Sequence, residues 1–230
     1  MGLLDLADID PLGPHVPVGV PELHVPPGAV SVIAVAWHIL LLLLGHAHNY
    51  SIVAGSMIPT LRVGDVVELH TTRLYGFGAP LGLPPPRVGD LVLFRNPPTG
   101  ENYIKRVVGI SGDAVQIVDG RLYINDEIVP RTFEGNHTYE LGDGTPVRIS
   151  RYRETLPTGV AHEIDEISDH ELMDNTERYT VPPGALFVLG DSRDNSADSR
   201  VLSMVGYVDV RNVLAISPGL EALFYWYRRP

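Results

Sequence analysis

Three turns that end in Gly-Asp, each followed by an apolar run too short for a helix, commit this chain to a fold of strands and tight turns. Val63-Gly64-Asp65 leads into Val66-Val67-Glu68-Leu69, and Val88-Gly89-Asp90 leads into Leu91-Val92-Leu93-Phe94. Ser111-Gly112-Asp113 leads in the same way into Ala114-Val115-Gln116-Ile117-Val118. Glycine supplies the backbone angles that a turn demands, and aspartate can accept from neighbouring backbone N–H groups. The rest of each segment differs, so the shared phrase is turn punctuation and not a repeat unit. Asp119-Gly120 separates two strand-like runs, as a two-residue hairpin does. The 23 glycines and 20 prolines favour a mostly β, antiparallel fold over a helical bundle.

At 230 residues the chain can bury one sizeable core. Residues 1–28 are proline-rich and acidic and read as a flexible tail. Residues 29–48 contain an apolar run, Ala29 to Leu44, expected to form a membrane-anchoring helix, although it is slightly short of the about 20 residues that a span usually needs. A buried core helix and a cleaved secretory signal are the competing readings; the absence of Lys and Arg from the first 28 residues speaks against the signal. That absence also leaves the membrane orientation unreadable from charge. Residues 49–230 are expected to be a β-rich catalytic domain, with 131–178 an inserted subdomain that shows one clear strand candidate, Val147 to Tyr152. A net charge of -11 argues against a nucleic-acid partner. The lack of cysteine excludes disulfides, thiolate metal sites and cysteine nucleophiles.

Three segments carry candidate chemistry: Ala54-Gly55-Ser56-Met57-Ile58-Pro59-Thr60-Leu61, Tyr103-Ile104-Lys105-Arg106-Val107-Val108-Gly109, and Gly190 to Arg200. A serine hydroxyl is a poor nucleophile until a base removes its proton. Nine histidines are present, but none lies in a Gly-x-Ser-x-Gly elbow or a His-Glu-x-x-His zinc motif. Lysine can be the base when neutral, which burial among apolar groups favours. On a strand, Tyr103, Lys105 and Val107 share one face while Arg106 points to the other. Gly190 would allow close packing where the strand Ala185 to Leu189 ends. Ser196 could hydrogen-bond and aim the amine, and Asp198 with Arg200 could form a buried ion pair. A calcium loop built from Asp191, Asp194, Asn195 and Asp198 is the competing reading, with the wrong spacing for an EF-hand and two arginines that would repel a cation.

From Val53 to Ser217 these segments, with Tyr179-Thr180-Val181-Pro182-Pro183-Gly184 before the last, resemble bacterial type I signal peptidases. The resemblance implies Ser56 as nucleophile, Lys105 as general base, the Ser56 backbone N–H as an oxyanion donor, and Ser196, Asp198, Arg200 and Gly190 in support. It also implies a signal-peptidase-type antiparallel β core on an N-terminal apolar helix, at the outer face of the cytoplasmic membrane. The expected partners are the lipid bilayer and preprotein signal peptides with small residues at the first and third positions before the cut; no metal or organic cofactor is needed. Members of this family often carry a serine two residues before the nucleophile, whose hydroxyl helps to hold the oxyanion. Ala54 stands there in this chain. Self-cleaving repressors, which share a related β core, would need a DNA-binding module where this chain has its apolar run. A binding module with a decayed catalytic apparatus is the reading from another class.

Overall fold

Each Gly-Asp turn closes by the same device. The computed structural model describes residues 47–71, 85–140 and 146–217. Gly64, Gly89 and Gly112 have φ of 91°, 106° and 93°, a region that L side chains avoid. The aspartate after each glycine accepts from the backbone N–H three residues back: Asp65 from Arg62 (2.7 Å), Asp90 from Arg87 (2.8 Å) and Asp113 from Ile110 (2.9 Å). The turns launch β2 (Val66–Thr71), β3 (Leu91–Arg95) and β5 (Ala114–Val118).

A seven-stranded sheet runs β1 (Ala47–Ser51), β2, β14 (Val213–Ser217), β3, β4 (Asn102–Ile110), β12 (Ala185–Leu189), β13 (Val208–Asp209). A four-stranded sheet runs β11 (Tyr179–Thr180), β5, β6 (Arg121–Ile124), β7 (Glu127–Ile128). A three-stranded sheet runs β10 (Ala161–Glu166), β9 (Pro146–Thr155), β8 (Arg131–Glu140). Every pairing between these strands is antiparallel, so the described residues form a mostly β, antiparallel structure. The hairpin between β5 and β6 turns at Asp119 and Gly120, with φ of 45° and 68°, the two positive angles that a type I′ turn requires.

Packing places β3 and β4 at the centre. Ile104 and Leu93 join Met57, Val67 and Leu69 in one buried cluster, whereas Tyr103, Val107, Val92 and Phe94 join Val188 and Ile216 in another. Strand β12 is buried along its whole length, as an all-apolar run between two neighbours should be. Between its pairings with Phe187 and Val188, β4 carries Val108 as an extra residue, a bulge that turns its last part toward a third cluster with Val115 and Leu122.

Where one strand was expected between 131 and 178, three form a sheet of their own. Strand β8 reads Arg-Thr-Phe-Glu-Gly-Asn-His-Thr-Tyr-Glu and is largely exposed, so it has little of the apolar alternation that reveals a strand in sequence. Strand β1 takes in Ala47 and His48, the last two residues of the stretch expected to be an anchoring helix. The remainder of that stretch and the tail of residues 1–28 lie outside the described residues. Among the described residues no helix is long and apolar enough to cross a membrane.

Candidate active site

Ser56 opens a tight turn between β1 and β2, in which Ile58 N–H donates to Gly55 O (3.0 Å) and Leu61 N–H to Met57 O (2.8 Å). Lys105 lies in the middle of β4, opposite Val92 of β3. Although 49 residues apart in the chain, Lys105 Nζ donates to Ser56 Oγ at 2.5 Å. Both are interior: Lys105 has no solvent-exposed surface and Ser56 is 2% exposed. The amine also lies 5.5 Å from the centre of the buried Tyr103 ring. A deprotonatable hydroxyl and an amine in direct contact, shielded from bulk water, are the elements of a nucleophile–base pair.

Strand β12 delivers the chain to Gly190, where there is no room for a side chain. A Cβ at this position would fall 2.2 Å from Ser196 Oγ and 2.6 Å from Ser56 O. Asp198 fixes this backbone by accepting from Gly190 N–H (3.1 Å), and it holds Arg200 through Nε–Oδ1 and Nη2–Oδ2 contacts of 2.9 Å each. The Asp198–Arg200 pair is fully interior. Burial alone would raise the Asp198 carboxyl; the charge and hydrogen bonds of Arg200 outweigh it and hold the pKa below the ordinary value. Ser196 departs from expectation. Its Oγ is buried and forms no well-aligned hydrogen bond to the lysine amine in this structure. It packs against Gly190 instead, near enough to Asp198 to help lower that carboxyl.

Next to the dyad lies a brace that sequence reasoning missed. Arg106 grips Asp191 with two hydrogen bonds (Nε–Oδ1 2.9 Å, Nη2–Oδ2 2.8 Å), donates to Gly89 O (2.9 Å) and reaches Thr60 Oγ1 (3.4 Å). One guanidinium therefore ties together the segments that carry Ser56, Lys105 and Gly190. Burial would raise the Asp191 carboxyl, yet Arg106 holds it below its usual pKa. The available signal was Arg106 itself: a cation on a strand apolar on both faces must find a carboxylate inside. Beyond it, Arg193 pairs with buried Glu154 of β9 (3.1 and 2.5 Å), and Asp194 accepts from Ile167 N–H (2.6 Å) and Ser168 N–H (3.3 Å). The carboxylates of the suspected calcium loop are thus engaged by arginines and backbone N–H groups. Among the described residues no cluster of three His, Asp or Glu side chains is placed to hold a metal.

His162 of β10 is buried, with Nε2 3.5 Å from Glu154 and 3.8 Å from Asp191. Burial and the Arg106 charge lower its pKa to about 4 despite those carboxylates, so the ring is neutral near pH 7. Neither ring nitrogen has a hydrogen-bond partner.

Comparison with known proteins points to one family. The family model described as signal peptidase, peptidase S26, matches residues 28–219. Signal peptidase I of Rickettsia akari is 38% identical over 150 residues, covering 62% of this chain and 52% of that protein. Signal peptidase I of Rickettsia massiliae is 32% identical over 219 residues, covering 86% of this chain and 77% of that protein. Several of the matched relatives are thus spanned over about half of their length. A crystal structure of a signal peptidase I from Enterococcus faecalis is 23% identical, covers 59% of this chain and 99% of its own, and superposes with a TM-score of 0.34, too loosely to bear on the site. On the extent of the family match, the chain belongs to the signal peptidase family, peptidase S26.

Proposed function

We propose that this chain is a serine endopeptidase that removes N-terminal signal peptides from exported preproteins by means of a Ser56–Lys105 dyad. The observation that carries the reading is the 2.5 Å contact between Lys105 Nζ and Ser56 Oγ inside the protein. Neutral Lys105 takes the hydroxyl proton as Ser56 Oγ attacks the scissile carbonyl. The protonated amine then gives that proton to the leaving amino group, and the acyl-enzyme remains. The same amine, neutral again, takes a proton from the incoming water and returns it to Ser56 as the acyl group leaves. Gly190, held by Asp198 and Arg200, keeps the nucleophile's surroundings fixed, and Ser196 supplies a buried hydroxyl beside them.

Strand β1 pairs only with β2 among the described residues, so it presents a sheet edge that runs directly toward Ser56. An extended cleavage region would add to that edge by backbone pairing. Small substrate side chains before the cut would sit beside Ser56, where Ile52 and Met57 are already packed into the core. Val53 and Val63, near the nucleophile, are exposed apolar residues suited to the bilayer surface where a signal peptide resides. The anchor would lie within residues 29–48, whose last two residues enter β1, and the catalytic domain would face the outer side of the bacterial cytoplasmic membrane.

The test is incubation of the purified chain and its Ser56→Ala variant with a preprotein bearing an Ala-x-Ala site. The account expects cleavage after the second alanine by the parent chain and none by the variant. Cleavage by both would remove Ser56 from the reaction, and binding without cleavage by either would favour the decayed module.

A further inference from the structure

We infer that the side-chain amide of Asn195 is the second oxyanion donor of this site, supplying the hydrogen bond that Ala54 cannot. The inference rests on the peptidase reading above. When Ser56 Oγ bonds to the scissile carbon, the carbonyl π pair moves onto oxygen and the serine proton goes to Lys105. The oxyanion that forms needs donors already in place. One is the Ser56 N–H, which makes no hydrogen bond among the described residues. The methyl group of Ala54 offers nothing.

Asn195 Nδ2 lies 3.9 Å from the point that a Cβ on Gly55 would occupy, and so borders the residue directly before the nucleophile. The amide is held there by the backbone. Ser192 N–H donates to Ser56 O (3.0 Å), and Asn195 N–H donates to Ser192 O (3.0 Å), so the single 3-10 turn Arg193–Asn195 is seated on the nucleophile's own carbonyl. The other two side chains of this turn are committed elsewhere: Arg193 to Glu154, and Asp194 to the N–H groups of Ile167 and Ser168. Asn195 alone of the three is exposed, and its side chain makes no hydrogen bond among the described residues. A neutral primary amide, fixed by its backbone, open to substrate and adjoining the Ser56 segment, has the properties of an oxyanion donor. Gly55 keeps clear the space that a side chain there would occupy beside the amide. As the intermediate collapses, the C–N bond breaks, the leaving nitrogen takes the proton from Lys105 and the oxygen re-forms its double bond, which releases both donors.

The experiment is steady-state cleavage of a signal-peptide substrate by the full chain and by the Asn195→Ala, Asn195→Asp and Asn195→Ala/Ala54→Ser variants. Thermal unfolding and inhibition by a peptide aldehyde, which forms a tetrahedral adduct with the nucleophile, are measured alongside. Loss of the donor is expected to lower kcat by about 10²–10³-fold in both single variants, with KM changed by less than about twofold. Aldehyde affinity should weaken in step with kcat, and the serine at position 54 should recover at least about tenfold of the loss. Asn195→Asp keeps the shape of the side chain but puts a carboxylate where the amide was, so a loss in this variant at an unchanged melting temperature belongs to contact with the oxyanion and not to folding. The inference is overturned if kcat stays within about threefold in Asn195→Asp, if KM rises while kcat holds, or if Ala54→Ser restores nothing. A parent chain that cleaves no substrate would instead defeat the peptidase reading.

Discussion

The two sides of strand β4 hold two adjacent buried basic side chains with different surroundings. Lys105 meets the hydroxyl of Ser56, whereas Arg106 meets the carboxylate of Asp191, a carbonyl and the hydroxyl of Thr60. An always-charged guanidinium with a bidentate partner is a structural fastener. An amine can lose its proton, and placed against a hydroxyl it can do acid–base work. On the proposed reading the strand separates reactivity from rigidity over one peptide bond, with the fastener holding in register the three segments around Ser56 and Lys105.

If that division is right, loss on one side should destroy activity and loss on the other should destroy stability. Ser56→Ala should reduce turnover by about 10⁴-fold or more while the fold persists, since nothing is left to attack the carbonyl. A turnover loss under tenfold would break the comparison. Arg106→Met leaves Asp191 buried and uncompensated, and should cost about 3–5 kcal/mol in urea unfolding. Arg106→Met/Asp191→Leu should regain much of that, because the stranded charge is gone. A single variant as stable as the parent would show that the brace is dispensable.

His162 sharpens the comparison through pH. Its ring is kept neutral, with a folded pKa of about 4, while the unfolded chain binds the proton near 6.5. Stability from this group is therefore whole above pH 6.5 and is lost as pH falls toward 4, on the order of 3 kcal/mol. His162→Gln should flatten that part of the stability–pH curve; an unchanged slope would place the acid sensitivity elsewhere. The smallest effect belongs to the surface. Asp126 and Arg178 pair in the open at 3.0 Å, and Asp126→Ala should change neither unfolding nor cleavage measurably.

Sequence showed more of the site than of its supports. The Gly-Asp turns, the Asp119-Gly120 hairpin and the run Ala185 to Leu189 were legible because local backbone chemistry and apolar runs dictate them. The meeting of Ser56 with Lys105 and the pairing of Asp198 with Arg200 were legible because their segments are short and chemically unusual. The sheet of β8, β9 and β10 was mostly hidden. Its buried members include Arg151 against Asp165 and Glu154 against Arg193, and paired charges read as surface in a linear pattern. The Arg106–Asp191 brace joins residues 85 positions apart, beyond the reach of any local pattern. Ser196 shows the opposite limit: its segment was found, but its hydroxyl contacts depend on packing around Gly190 that no spacing reveals.

The most direct test of the account is the rate at which Ser56 becomes acylated, followed by intact-mass spectrometry in single-turnover reactions of the parent chain and Lys105→Met. This swap keeps length and apolar packing, so it should leave the unfolding free energy within about 1.5 kcal/mol of the parent. Acylation should slow by about 10⁴-fold or more in the variant. Equal acylation rates in the two proteins would contradict the assignment of Lys105 as the base.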